Sequence, residues 1–400
     1  MMQQAPHLLI LGGSTRAAAC SALRAGMQPW CAGYFADADL AERCPARCVT
    51  GKDYPHGLLA ALDEAPEAPW LYTGALENRP PLIRQLAKRR PLWGIDGQAL
   101  AKTRAPLVWS RMLRDAGLPA PAVSLRATDL DAQRDWMIKP LKSGGGARVR
   151  RFKGKPAGRG MFYQEYIAGE LCSSLYVGDG HGASLLGSTR QLVGIDWLHG
   201  PGFKYCGSIG PLTLDSGAQR TLEQMGNVLA AGCGLRGIFG IDFVLRQGVP
   251  WPIEINPRYT ASVEVLEHAL GIAVLALQRA VCKNGLRLES AGQSINHARQ
   301  GRSKEPEYIV GKAILYAALP VVFPEDGPWR QVVDRVPPVE HLAEYADIPH
   351  AGESIFPARP ILTCFAKGST HAEVMQALEE RARRLDLQLH DRAGMFSMGR

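Results

Sequence analysis

No Cys-x-x-Cys pair occurs among the nine cysteines of this 400-residue chain, and the two nearest in sequence are Cys44 and Cys48. That spacing argues against zinc and against a disulfide framework, and fits reduced thiols in a cytoplasmic protein. No uninterrupted apolar run reaches the roughly 18 residues of a membrane span, so no membrane partner is expected. No Lys/Arg-dense run is interleaved with aromatics, so a nucleic-acid face is not expected either. The short clusters Lys88-Arg89-Arg90 and Arg148-Val149-Arg150-Arg151 read instead as solvated or phosphate-facing. There is no basic leader: Met1-Met2-Gln3-Gln4-Ala5-Pro6 runs straight into Leu8-Leu9-Ile10-Leu11, which reads as a buried first strand and not as a signal peptide. Internal repeats and low-complexity tracts are missing as well.

What is present is ordinary for an α/β protein: 46% hydrophobic residues, 21% charged residues and 43 glycines spread along the chain. The length suggests about two to three domains. A net charge of +8 suits an anionic substrate such as a nucleotide or polycarboxylate.

Residues 1–98 follow strand–helix–strand grammar, which implies a parallel sheet. Strand His7 to Leu11 leads through Gly12-Gly13-Ser14-Thr15-Arg16 into a helix over Ala17 to Ala25, then into strand Pro29 to Tyr34. The glycine turn lacks G-x-G-x-x-G spacing, and Asp37 only loosely matches the acid that a dinucleotide site places after the second strand. A cofactor-free turn is therefore expected, although its helix N-terminus could still hold an anionic group of a substrate. Residues 99–285 change texture. A helix ends near Asp115, strand Trp136 to Pro140 carries Lys139 at its end, and Ser143-Gly144-Gly145-Gly146 follows. Such glycines let the backbone approach a ligand and turn its N–H groups toward phosphate. It is not a Walker loop, because no Gly-Lys-Ser/Thr follows at that spacing. Leu171 to Val177 and Leu185 to Gln191 read as a hairpin, and Ala261 to Leu270 as a helix. Glu264, Glu267 and His268 on that helix read as surface or packing residues, not ligands. Residues 290–307 read as a linker or surface loop, and 286–400 as a small C-terminal α/β unit.

The densest signal is Gly240 to Arg258. Phe243 to Leu245 and Trp251 to Ile255 read as strands, joined through Gln247-Gly248-Val249-Pro250. Glu254 and Asn256 are two apart and share a face. A turn centred near residue 249 puts Asp242 opposite Asn256 and Val244 opposite Glu254, so Asp242 joins them. A one-residue slip would send Asp242 to the other face. Two carboxylates and an amide oxygen on one face suit Mg²⁺, which draws its remaining ligands from water and nucleotide phosphates.

The order of Lys102, Lys139, the glycine loop, Gln164-Glu165-Tyr166-Ile167, Glu170, Asp242 and Glu254-Ile255-Asn256-Pro257-Arg258 resembles the ATP-grasp superfamily. The resemblance spans residues 99 to about 285 and implies an ATP-grasp fold between a Rossmann-like N-terminal unit and a small C-terminal α/β unit. It implies that Lys102 and Lys139 contact the phosphates of ATP, that Ser143, Gly144, Gly145 and Gly146 close as a lid, and that Glu165, Tyr166 and Ile167 hinge the adenine through main-chain groups. Glu170 would accept the ribose hydroxyls, Asp242, Glu254 and Asn256 would hold Mg²⁺, and Arg258 would face the transferring phosphoryl group. Several ligases of the superfamily carry an arginine two residues before the metal aspartate. Here that position is Gly240, so Arg258, Arg236 or Arg190 takes over, or the acceptor geometry differs. The expected activity is amide formation between a small carboxylate and an amine through an acyl phosphate, with ATP and Mg²⁺ as cofactors. Glu264 and His268 are candidate bases, and a homodimer is left open. Carboxyphosphate formation, phosphotransfer or a non-catalytic ATP-binding role are the alternatives. The stretch Gly12 to Gly26 with Phe35 to Leu40 is similar to an ATP-grasp group linked with methylotroph one-carbon metabolism, which implies a pterin- or furan-coenzyme building step.

Overall fold

A computed structural model describes residues 5–285 and 308–397. The polar stretch 290–307 lies outside the described residues. Strands β1 (His7–Gly12), β2 (Gln28–Gly33), β3 (Ala46–Cys48) and β4 (Trp70–Tyr72) form a parallel sheet in the order β3-β2-β1-β4. The β1 and β2 runs are buried almost throughout because helices cover both faces of the sheet. Gly33 is required by packing: a Cβ there would stand 2.9 Å from the Gly12 carbonyl oxygen.

A second, antiparallel sheet follows, with β5 (Val123–Ser124), β6 (Trp136–Pro140), β7 (Arg150–Arg151) and β8 (Met161–Glu165) in the order β5-β8-β6-β7. The largest sheet has eight strands. From the middle of the chain it takes β9 (Glu170–Asp179), β10 (Ala183–Val193), β11 (Tyr205–Gly210), β12 (Arg236–Arg246) and β13 (Val249–Asn256). From the C-terminal segment it takes β14 (Ile309–Tyr316), β16 (Tyr345–Ala346) and β18 (Pro360–Gly368), while β15 (Val321–Val322) and β17 (Ser354–Ile355) pair separately. Its order, β13-β12-β9-β10-β11-β14-β18-β16, runs without a break across residue 286. The C-terminal segment thus completes a sheet begun earlier.

Helix Ser216–Cys233 packs on β9 and β10. It starts at Asp215, whose carboxylate accepts from the Gly217 and Ala218 amides, and ends at Gly234 with φ +76°. Tyr176 on β9 and Phe239 on β12 stack beneath it at 5.0 Å, both fully buried. Among the described residues no single helix is long and apolar enough to cross a membrane; the bent pair Ser262–Leu270 and Val274–Lys283 has that composition because it is core.

Candidate functional site

The β12–β13 hairpin differs in register from the sequence expectation. Gln247 and Gly248 make the whole turn, with φ +52° and +76°, the two-residue hairpin turn with both central residues left-handed. Pro250 and Pro252 belong to the strand, which tolerates them because β13 is an edge. Continued from so tight a turn, the register would set Asp242 opposite Ile253 and on the face away from Glu254. One extra residue, Ile253, bulges out of β13, and beyond it Asp242 faces Glu254 while Gly240 faces Asn256. The partners are therefore not those expected, yet all three oxygen-bearing side chains line one cavity.

That cavity, about 320 Å³, lies between the β5–β8 sheet and the eight-stranded sheet. One end is apolar, walled by Met137, Ile167, Leu171, Val244 and Ile253, and the other carries Asp242, Glu254, Asn256 and Arg258. Lys139 Nζ donates to Gln164 Oε1 at 2.9 Å and to the bulged Ile253 carbonyl at 3.2 Å. The bulge thus serves twice, restoring parity and offering the acceptor that aims Lys139. Burial lowers the Lys139 pKa, with Glu254 and Asp242 pulling the other way. Burial, and then Glu254 opposite, push Asp242 up to about 6. The Asn256 amide donates to Asp242 Oδ2 at 2.9 Å, and its Oδ1 accepts from Arg258 at 3.3 Å. Glu254 thus raises the proton affinity of the Asp242 carboxylate that it faces, so the site carries too little positive charge. The donors are hard oxygens, so a hard divalent cation fits them.

Ser143, Gly144, Gly145 and Gly146 lie against the cavities, Gly145 and Gly146 on the main one. The Tyr205 amide donates to the Gly145 carbonyl at 3.3 Å. A Cβ on Gly146, where φ is +77°, would sit 1.7 Å from the Phe203 carbonyl oxygen, so only glycine allows this closed contact. The Glu165 and Tyr166 amides already donate to Ala122 and Asp135 carbonyls, both at 2.8 Å. The Glu165 side chain turns outward to Arg134.

Two expected residues are not brought to the cavity. Lys102 Nζ donates to the Gly232 carbonyl at 2.8 Å, near the end of helix Ser216–Cys233. Helix Gly97–Thr103 stops one residue later, and Arg104, turned a different way by the break before Pro106, enters the site. Its guanidinium reaches Glu254 Oε1 at 3.2 Å, the Leu141 carbonyl at 3.0 Å and the Ser143 carbonyl at 3.2 Å. Glu170 is ion-paired with Arg190, and strand alternation gives the cavity wall to Leu171 and Ser173 instead. That pairing occupies Arg190, and Arg236 is at the far end of β12 opposite Asp179. Of the three arginines considered to replace one at Gly240, Arg258 is the one at the site.

Arg258 is held by a residue the sequence did not flag. Its Nε donates at 2.7 Å to Oε1 of Glu77, which sits in the turn after β4 and is 1% exposed. Burial opposes the Arg258 charge, but Glu77, Glu254 and Asp242 outweigh it and raise its pKa. Nothing in the run Leu76-Glu77-Asn78 marks this pairing across 181 residues. Glu264 and His268 do not reach the cavity. Both Glu264 oxygens are taken by Arg16 and Lys312, and His268 is buried beside Arg24.

Residues 107–262 match the ATP-grasp domain family. The whole described chain has the ATP-grasp fold. It superposes on an L-amino acid ligase from Bacillus licheniformis with a TM-score of 0.65 at 16% identity, covering 95% of this chain and 98% of that one. It superposes on the biotin carboxylase domain of Hydrogenobacter thermophilus 2-oxoglutarate carboxylase, solved with MgADP and bicarbonate, with a TM-score of 0.68 at 14% identity, covering 94% and 90%. N5-carboxyaminoimidazole ribonucleotide synthetase from Thermus thermophilus gives a TM-score of 0.59 at 15% identity, covering 96% and 98%. In sequence the chain is 32% identical over 65 residues to the carbamoyl phosphate synthase large chain of Clavibacter michiganensis, 16% of this chain. It is 23% identical over 214 residues to that of Beutenbergia cavernae, 46% of this chain. It spans only 6% and 19% of those two proteins.

Proposed function

We propose that the protein is an ATP-dependent ligase that joins a small carboxylate to an amine through an acyl phosphate. The observation that carries this reading is the facing pair Asp242 and Glu254, in one cavity with Lys139 and beneath a closed glycine loop. Phosphoryl transfer needs positioning and charge neutralisation more than covalent help, and these groups supply both.

In this reading the apolar end takes the adenine, with the Glu165 and Tyr166 carbonyls and the Ile167 amide as the main-chain hinge. Lys139 and Arg104 hold the phosphates; Arg104 replaces Lys102 because its guanidinium is the group under the loop. Asp242, Glu254 and Asn256 would hold Mg²⁺, which when bound neutralises triphosphate charge. Arg258 orients the carboxylate for phosphorylation and then the acyl phosphate. The lone pair of the neutral amine attacks the acyl carbon, the bond from that carbon to the bridging oxygen breaks, and inorganic phosphate leaves with the electron pair and takes up the proton that the nitrogen gives up. The loop closed on Phe203 to Tyr205 keeps water from the acyl phosphate. The one-carbon coenzyme setting remains a proposal carried by the N-terminal motif.

The test is ADP release from MgATP across pooled carboxylates and amines. A ligase releases ADP only when both partners are present, whereas release with a carboxylate alone, or with bicarbonate in its place, rejects amide formation. Glu254→Gln, nearly isosteric, is expected to lower turnover at least 100-fold while leaving the circular dichroism spectrum unchanged.

A further inference from the structure

Adjacent residues of the N-terminal unit hold the two arginines of the site. Arg258 donates to Glu77, and Arg104 Nη2 donates at 2.9 Å to Oδ1 of Asn78. Both acceptors lie in the single turn Leu76–Asn78 that follows β4. The turn is entered through Ala75 at φ +82°, a conformation that a residue other than glycine keeps only where its surroundings impose it.

Asn78 does more than accept from Arg104. Its Nδ2 donates at 3.2 Å to the Ser143 carbonyl, which also accepts from Arg104 Nη2 at 3.2 Å. Asn78, Arg104 and Ser143 thus close a ring of three hydrogen bonds at the root of the glycine loop. The ring engages the Nη2 edge of Arg104, while Nη1 donates to Glu254. Nε is left buried, with no partner among the described residues. Arg104 also lines the small cavity beneath the loop, together with Ser143, Gly144 and Gly146. A buried N–H without an acceptor is costly, and an anionic phosphate oxygen in that cavity would satisfy it.

A side-chain amide suits this place because it carries an acceptor and a donor on one planar group. Aspartate has nearly the same shape and keeps the acceptor, but loses the donor. We propose that Asn78 is a positioning residue that ties Arg104 to the closed glycine loop, making phosphate binding and loop closure a single event. This rests on the ATP reading and deepens it. Asn78 itself lines neither cavity, so it acts through the two groups that it holds. With Nη2 fixed by Asn78, the guanidinium keeps its Nε available to a phosphate. With Ser143 fixed by the same amide, the loop closes on an arginine already in place.

Affinity and loop closure are measured separately, on the full-length protein with AMP-PNP and Mg²⁺. Calorimetry gives the affinity. Trypsin reports the loop, because the exposed Lys142 and Arg148 flank it, and cleavage at Arg383 on helix His371–Ser397 reports global unfolding. In the wild type, nucleotide is expected to slow cleavage at Lys142 and Arg148. Asn78→Ala should bind nucleotide about tenfold more weakly, as for loss of a charged hydrogen bond, and should lose that protection. Asn78→Asp keeps the acceptor for Arg104, so its affinity should stay within about threefold of wild type while the protection is lost. In an Arg104→Ala background, Asn78→Ala should weaken binding by less than about twofold further, because the group it acts through is gone. Wild-type affinity in Asn78→Ala, wild-type protection in Asn78→Asp, or a full further loss in the Arg104→Ala background overturns the proposal. So does an Asn78→Asp variant that binds as weakly as Asn78→Ala, or cleavage at Arg383 that rises in step with the loop. Nucleotide binding without protection in the wild type also overturns it. Failure of the wild type to bind AMP-PNP at all would instead overturn the ATP reading.

Discussion

At the scale of single residues, the site stores electrostatic tension that a bound cation would release. Asp242 has its folded pKa pushed up to about 6 by burial and by Glu254. For a raised acid, stability is fully present below the unfolded value near 3.9 and is lost as pH rises through the folded value, a loss of about 3 kcal/mol by pH 8. Asp242→Asn is therefore expected to stabilise the ligand-free protein at pH 8 by up to about that amount, read by urea denaturation. The same variant should lose Mg²⁺-dependent binding of nucleotide. Arg104 and Lys102 provide a contrast two residues apart. Arg104→Ala should raise the KM for ATP by at least about tenfold, the loss of a charged hydrogen bond, whereas Lys102→Ala should leave it within about twofold. Equal effects would return Lys102 to the phosphate site.

At the scale of elements, the loop and the hairpin act through backbone geometry. Gly146 adopts a left-handed φ and presses on the Phe203 carbonyl, so alanine there clashes with backbone that cannot move aside. Gly146→Ala is expected to hold the loop open, cutting kcat for ADP release while stability changes by less than about 1 kcal/mol, since the loop packs little core. Wild-type kcat in that variant would separate loop closure from catalysis. The hairpin shows where local reading succeeded. The alternation of Glu254 and Asn256 is a property of any strand and was legible. The face of Asp242 depended on a bulge that no residue type at Ile253 announces, and the expected parity held because two shifts compensated.

At the scale of the whole molecule, a buried ionic cluster joins the three segments. Arg16 from the first helix pairs with Glu264 and, at 3.0 Å, with Asp347; Lys312 from β14 reaches Glu264 at 2.9 Å. The acids of helix Ser262–Leu270, read from sequence as surface or packing residues, are buried packing. Burial opposes the Glu264 charge, but Arg16 and Lys312 outweigh it and hold its pKa below the usual carboxylate range. Glu264→Ala strands both cations and should cost about 3–5 kcal/mol, measured by denaturant unfolding. His268 adds a pH dependence. Burial, then Arg24, push its pKa down to about 4, so from about 6.5 downward the unfolded chain takes up a proton that the folded chain refuses. Its stabilising contribution is present above that range and is lost as pH falls toward 4, by about 3 kcal/mol. Asp39, pushed up to about 6 mainly by burial, acts with the opposite sign. The fall in unfolding free energy from pH 7 to pH 4.5 should therefore shrink in His268→Gln relative to wild type.

What the sequence by itself determined is what local chemistry controls. Apolar runs set β1 and β2, glycines set the loop after Lys139, and two-residue periodicity put Glu254 and Asn256 on one face. The order of those motifs was enough to indicate the ATP-grasp fold. What only the tertiary structure decided is which charges meet. Arg104 displaced Lys102 because a helix ended between them, Arg190 was taken by Glu170, and Glu77 came to Arg258 from the turn after β4. A side chain's partner depends on where a distant backbone arrives, and residue types along the chain do not carry that information.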